Sequence, residues 1–195
     1  QLSLMSESLS EDVKNNLRFI QQECQRAKEI IQRLLKFSRP SKGVNREVNI
    51  NKSIEAMVLL GEKQFKLVNV EIKRNYWDNP PLISVDENQM QEVFMNLLNN
   101  AKDAMPAGGS ITITTSLEGD CLRIDFKDTG VGIAEEVKGK IFEPFFTSKE
   151  KGTGLGLAVS YGIVKAHCGE LTFKSELNKG TTFTVMLPLG GKDNV

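Results

Sequence analysis

The 195-residue chain has a single His, and its three Cys (Cys24, Cys121 and Cys168) stand far apart. No pair has the spacing of a CxxC or HExxH zinc site. An odd number of scattered Cys is also a poor disulfide framework, and the three read as free thiols in a reducing compartment. Net charge is missing too: 25 basic side chains balance 25 acidic ones. Nothing in that balance drives the chain to nucleic acid or an anionic membrane, and no nucleic-acid partner is expected. No apolar run approaches the ~18–20 residues of a membrane span, and no signal-peptide pattern opens the chain. There is no internal repeat and no low-complexity tract. The first residue is Gln1 rather than Met, so we expect a piece of something longer.

What is present is globular in kind: 39% hydrophobic and 26% charged residues, with ten Phe. A chain of this length buries roughly 70% of its unfolded surface and needs no metal or disulfide to fold. The zero charge hides a division. Residues 1–44 carry eight basic and five acidic side chains, so the remainder is net acidic. The hydrophobic period changes at the same place. Val13, Leu17, Ile20, Cys24, Ala27, Ile31 and Leu34 follow at alternating spacings of four and three. That is a heptad seam, the period that keeps one stripe toward a partner helix. Ser10 supplies an N-cap, Glu11 and Asp12 supply acids in the first turn, and Pro40 stops the helix. Ile30, Leu35 and Phe37 widen the stripe. The helix either packs on its own domain or forms one leg of an inter-subunit bundle.

Beyond a linker over 41–49 the chain alternates. A helix is expected over 51–66, a strand over 68–75, a turn at Asn79-Pro80-Pro81 and a short strand over 82–85. Asp86 should cap a helix running to about Met105. Strands over 110–116 and 121–127 make a hairpin, and an irregular Gly- and Phe-rich stretch spans 128–154. A helix over 155–167 ends at Gly169, and strands over 171–175 and 181–187 close the chain. Intermixed strands and helices with antiparallel hairpins define an α+β class, a two-layer sandwich of mixed sheet and helices behind a long heptad-patterned helix. The divisions expected are 1–42, 43–190 and a frayed tail, 191–195.

Four stretches carry chemistry. Asn96, Asn99 and Asn100 sit inside a predicted helix, where Asn is disfavoured because its side chain competes for backbone hydrogen bonds. Asn96, Asn100 and Asp103 share a face, and carboxamide oxygens there can ligate a hard cation such as Mg²⁺; the alternative is a solvated polar face. Asp128-Thr129-Gly130-Val131-Gly132-Ile133 follows a strand. Its Gly residues permit close approach to a ligand, and its carboxylate can accept from an exocyclic amine of a base. Phe142, Phe145 and Phe146 lie in a loop with Pro144, which requires burial or a hinged cover. Gly152-Thr153-Gly154-Leu155-Gly156-Leu157 opens a helix, where backbone amides form an anion site. It is neither a P-loop nor a dinucleotide fingerprint.

In this order the four stretches resemble the N box, first glycine box, phenylalanine box and second glycine box of GHKL ATP-binding domains, in the sensor histidine kinase variant. The resemblance covers 45–187. Upstream, Leu34-Leu35-Lys36-Phe37-Ser38-Arg39-Pro40 resembles the end of the second helix of a dimerisation hairpin. Gln1–Met5 then resembles the tail of the first helix and Ser6–Ser10 the hairpin loop. The lid, about 130–153, resembles that of short-lid, nitrogen-regulation-like kinases. The resemblance implies that ATP and Mg²⁺ bind here. Asn100 would ligate Mg²⁺, Asn96 would face the phosphates, and Lys149 would approach the terminal phosphates from the lid; Asn96 and Lys149 are the implied catalytic residues. Asp128 would bond the adenine amine, with Gly130, Gly132 and Ile133 beside the base. Thr153, Gly154, Leu155, Gly156 and Leu157 would hold phosphate, and Thr181 would reach adenine. Asp103 and Lys102 sit where adenosine contacts vary.

In the hydrolysing relatives a Glu stands four residues before the Mg²⁺-binding Asn; here that residue is Asn96, and a carboxamide cannot act as a general base. Transfer to a protein nucleophile is implied. His167 has a structural rationale at a helix end, so the acceptor His is expected on a dimerisation helix upstream of Gln1, and the chain is not expected to phosphorylate itself. Further implied partners are a response-regulator receiver domain and, in the full-length protein, a second copy. The implied location is cytoplasmic, with a possible membrane anchor in the parent. The alternatives are a nucleotide-switched regulatory module controlling dephosphorylation of a response regulator and a GHKL protein-serine kinase.

Overall fold

Period-two alternation in the second half of the chain builds most of a five-stranded sheet in the computed structural model, which describes residues 10–21, 24, 44–149 and 152–190. The chain divides into two units, 1–41 and 42–195. In the first, 11–21 and 24 are helical (α1). Ser10 Oγ accepts from Val13 N–H at 3.4 Å, the N-cap expected of it, and Lys14 pairs with Glu11 at 3.0 Å. The seam positions Val13, Ile20 and Cys24 are exposed on this helix. Ala27, Ile31 and Leu34, the hairpin residues 1–9, the Pro40 stop and the tail 191–195 lie outside the described residues. No described helix is long and apolar enough to cross a membrane.

The second unit runs β1 (Arg46–Val48), α2 (Ile50–Leu67), β2 (Val70–Asn75), β3 (Ile83–Val85), α3 (Glu87–Asp103), β4 (Gly109–Glu118) and β5 (Cys121–Asp128). It continues with α4 (Glu135–Lys138), α5 (Gly156–Ala166), β6 (Glu170–Glu176) and β7 (Gly180–Pro188). The large sheet has the order β2-β4-β5-β7-β6, with β2–β4 parallel and the other pairs antiparallel, while β1 and β3 form a separate antiparallel pair. One sheet face meets the helices. Ile111, Ile113, Leu122, Ile124, Phe126, Phe183 and Val185 point into a core shared with Met90, Val93, Phe94, Leu97 and Leu98 of α3. Each such side chain contributes roughly 1.5–3 kcal/mol relative to exposure. The rings of Phe94 and Phe126 lie 5.8 Å apart and join α3 to the sheet centre. The other face is polar; there Thr184 Oγ1 donates to Asp125 Oδ1 at 2.6 Å, and Arg123 bridges Asp125 and Glu118.

Element ends follow local chemistry. Asp86 caps α3 as expected, accepting from Asn88 N–H at 3.0 Å and Gln89 N–H at 3.2 Å. α2 begins one residue earlier than its pattern suggested, because Asn49 caps it by accepting from Lys52 N–H. The stretch expected to be irregular contains the single turn of α4. At the end of α5 the left-handed residue is Cys168, at φ 57°, rather than Gly169. Gly169 is instead packed where a side chain would strike Met186 and Leu187.

Candidate functional site

α3 organises the site, because two separate segments fasten to its polar face and a third to its C-terminal end. Asn96 donates from Nδ2 to Gly156 O at 3.4 Å and to Ser160 Oγ at 3.3 Å, which ties the first turn of α5 to the middle of α3. One turn further along, Lys149 Nζ donates to Asn100 Oδ1 at 3.1 Å and to Asp103 Oδ2 at 2.8 Å, which fastens the lid. At the helix end, Val131 N–H donates to Ala104 O at 3.0 Å. Asn96 and Asn100, disfavoured inside a helix, thus serve tertiary contacts that outweigh their poor propensity.

Asp128 ends β5 and is only 2% exposed. Its Oδ1 accepts Gly130 N–H at 2.8 Å and Thr181 N–H at 3.1 Å. Oδ2 makes no hydrogen bond among the described residues. Burial pushes the carboxyl above its usual range, and the two backbone donors oppose that rise. The turn beyond it is clamped to the β6–β7 hairpin. Gly132 has φ 71°, and a side chain there would collide with the Glu176 carbonyl. Asn178 N–H donates to Val131 O at 2.7 Å, and Ile133 N–H donates to Ser175 Oγ at 2.8 Å. Thr181 is buried beside Ser175, with their hydroxyls 2.9 Å apart. Ser175 carries no motif signal in the sequence. Its partners are 42 residues upstream and six downstream, so only the fold brings them together.

The Phe-rich stretch divides its labour. Phe142 stacks with Tyr161 of α5 at 5.2 Å and meets Phe173 of β6 edge-on at 5.9 Å, and Phe146 packs on the core. Phe145 is 58% exposed and holds φ 69°, a strained conformation for an aromatic residue. Its N–H donates to Gly154 O at 3.0 Å and draws the chain on either side of 146–153 into a neck. Gly154, at φ 67°, has no space for a side chain against the Phe145 backbone. Residues 150 and 151 of the lid lie outside the described residues. No described side chain caps α5, and its first turn carries no acid, so the leading amides of an eleven-residue helix are left for an anion. The Leu155 side chain is buried and that of Leu157 packs on the core, so these two have main-chain groups to offer a ligand.

His167 is used structurally. Asp86 N–H donates to Nε2 at 3.1 Å, and Nδ1 lies 2.8 Å from Ile163 O. The Nδ1–H tautomer satisfies both contacts and leaves neither ring nitrogen free.

Fold and site together define an ATPase-type nucleotide-binding domain. Residues 85–191 match the model of the histidine kinase-, DNA gyrase B- and HSP90-like ATPase family, and the chain belongs to that family. It is 36% identical to sporulation kinase E of Bacillus subtilis (strain 168) over 189 residues, 96% of this chain and 26% of that protein. The chain thus spans about a quarter of that relative's length. Among solved structures it resembles the catalytic domain of the histidine kinase ThkA, with 32% identity and a TM-score of 0.66, covering 74% of this chain and 95% of that one. It also resembles ThkA in complex with the response regulator protein TrrA, with 26% identity and a TM-score of 0.76, covering 99% of this chain and 57% of that one.

Proposed function

We propose that this chain is the ATP-binding, phosphoryl-donating part of a sensor histidine kinase. The observation that carries the reading is the Lys149 ammonium lodged on Asn100 Oδ1 and Asp103 Oδ2, one turn from the Asn96–Gly156 contact. An oxygen-lined position there accepts a cation beside an uncapped helix N-terminus. Asn100 supplies a hard oxygen donor, so the residues present fit Mg²⁺. When bound, that ion would neutralise phosphate charge next to Asn100.

The rest of the site supplies position and charge. Asp128 Oδ2 accepts the adenine amine, Thr181 stands beside it, and Gly130, Gly132 and Ile133 border the base. The main chain over Thr153, Gly154, Leu155, Gly156 and Leu157 receives phosphate. Lys149 leaves Asn100 for the terminal phosphates as nucleotide enters. Asn96 holds α5 on α3 and cannot activate water, which favours a protein nucleophile. The Pγ–O bond to ADP breaks, a P–N bond to an imidazole forms, and the ring sheds one proton. Because both His167 nitrogens are engaged, we place the acceptor on a dimerisation helix outside this sequence and expect no self-labelling. ThkA forms a complex with a response regulator protein, and we propose a receiver domain as the onward partner here, with a homodimer as the full-length assembly and the cytoplasm as its location.

Titration calorimetry with Mg²⁺-ATP tests the base assignment. Asp128→Ala should weaken binding by more than about tenfold, the loss of a charge-assisted hydrogen bond; undiminished affinity would remove Asp128 from the adenine site.

A further inference from the structure

Two of the residues assigned to the base, Ile133 and Thr181, are bound by one side chain that belongs to none of the motifs. Ser175 Oγ accepts Ile133 N–H at 2.8 Å, and it lies 2.9 Å from Thr181 Oγ1 and 3.2 Å from Gly180 O. A hydroxyl has one proton and two lone pairs. With the Ser175 proton on Gly180 O, its lone pairs receive the Ile133 N–H and the Thr181 O–H, and every group in the cluster is satisfied. With that proton turned to Thr181 Oγ1, the Thr181 proton is released toward a ligand. The Thr181 N–H in turn holds Asp128 Oδ1 at 3.1 Å. The Ser175 hydroxyl thus links the glycine turn to the Thr181 side chain, and the Thr181 main chain holds the buried carboxylate.

We propose that Ser175 is a positioning residue that determines selectivity for adenine: it orients Thr181, and through it Asp128, so that the Thr181 hydroxyl and the free Oδ2 meet the base edge together. This rests on the reading of Asp128 as the base acceptor. The ligand class is a purine nucleotide that presents an exocyclic amine toward Oδ2. Guanine presents a carbonyl oxygen there, and two acceptors repel. Without Ser175, Thr181 turns freely and the Ile133 amide loses its acceptor, so the two contacts no longer register on one base. Phosphate contacts at α5 and Lys149 lie on other elements and are unaffected.

The test compares Mg²⁺-ATP and Mg²⁺-GTP affinities by calorimetry for wild type, Ser175→Ala and Ser175→Thr, with the nucleotide-free melting temperature of each. Ser175→Ala should lose about five- to tenfold in ATP affinity, the scale of one to two hydrogen bonds, with GTP affinity changed less than about twofold. The ATP/GTP ratio should then fall, and Ser175→Thr, which keeps the hydroxyl, should restore it. A general structural weakening would lower the melting temperature and both affinities together. A Ser175→Ala protein that keeps the wild-type ratio overturns the proposal, whatever its melting temperature. A wild-type chain that binds both nucleotides equally, or neither, overturns the proposal together with the base assignment beneath it.

Discussion

Asp128 is buried, so ionising it costs the fold stability; on the proposed reading it also selects the base. Burial raises its pKa, so folding disfavours ionisation of this carboxyl relative to the unfolded chain. The stabilising contribution is complete below the ordinary carboxylate range and is lost as pH rises through the raised folded value. Ionised Asp128 is thus a cost at higher pH. Asp128→Asn removes that charge and keeps an oxygen for the Gly130 and Thr181 N–H groups. Its melting temperature should exceed that of wild type near neutral pH, and the gap should close on acidification to about pH 4. The same change forces the amide NH₂ outward, a donor where Oδ2 accepted. Preference should move from ATP toward GTP. Melting curves across pH and competition between the two nucleotides check both halves, and an Asn variant that still prefers ATP would contradict the account. At this scale the acid was legible, since it follows a strand and precedes two glycines. Ser175 was not, because a serine in an alternating strand has no local signal until its partners are known. Asn96 was expected to face the phosphates; in the structure its amide engages α5.

Elements were legible where one local cause dominates. The Asp86 cap gave α3 its start; the lid gave less, because its shape comes from long-range pinning. Phe145 meets Gly154 at the neck, and Lys149 reaches back 49 residues to Asn100. That lysine's latch is exposed, and such pairs contribute about 0–1 kcal/mol. Lys149→Ala should therefore speed lid amide exchange over 146–153 by about two- to fivefold without nucleotide while leaving exchange in the sheet unchanged. On the proposed reading Lys149 meets phosphate, so Mg²⁺-ATP affinity should fall in the same variant. Hydrogen exchange read by mass spectrometry decides it; identical lid exchange in the two proteins would mean that the latch holds nothing.

On the scale of the whole chain, neutral composition concealed a basic heptad segment followed by an acidic nucleotide-binding unit. The order of four motifs made the second legible, whereas a heptad seam alone does not choose between packing on its own domain and an inter-subunit bundle. The central claim is that this molecule is a donor half, with transfer to an external histidine in place of hydrolysis. Incubation with γ-labelled Mg²⁺-ATP and a separate helical hairpin bearing a dimerisation-helix His tests it most directly. The account predicts acid-labile label on the hairpin and none on this chain, with Asp128→Ala depressing the transfer. Label on His167, or release of inorganic phosphate with the hairpin unlabelled, would contradict it.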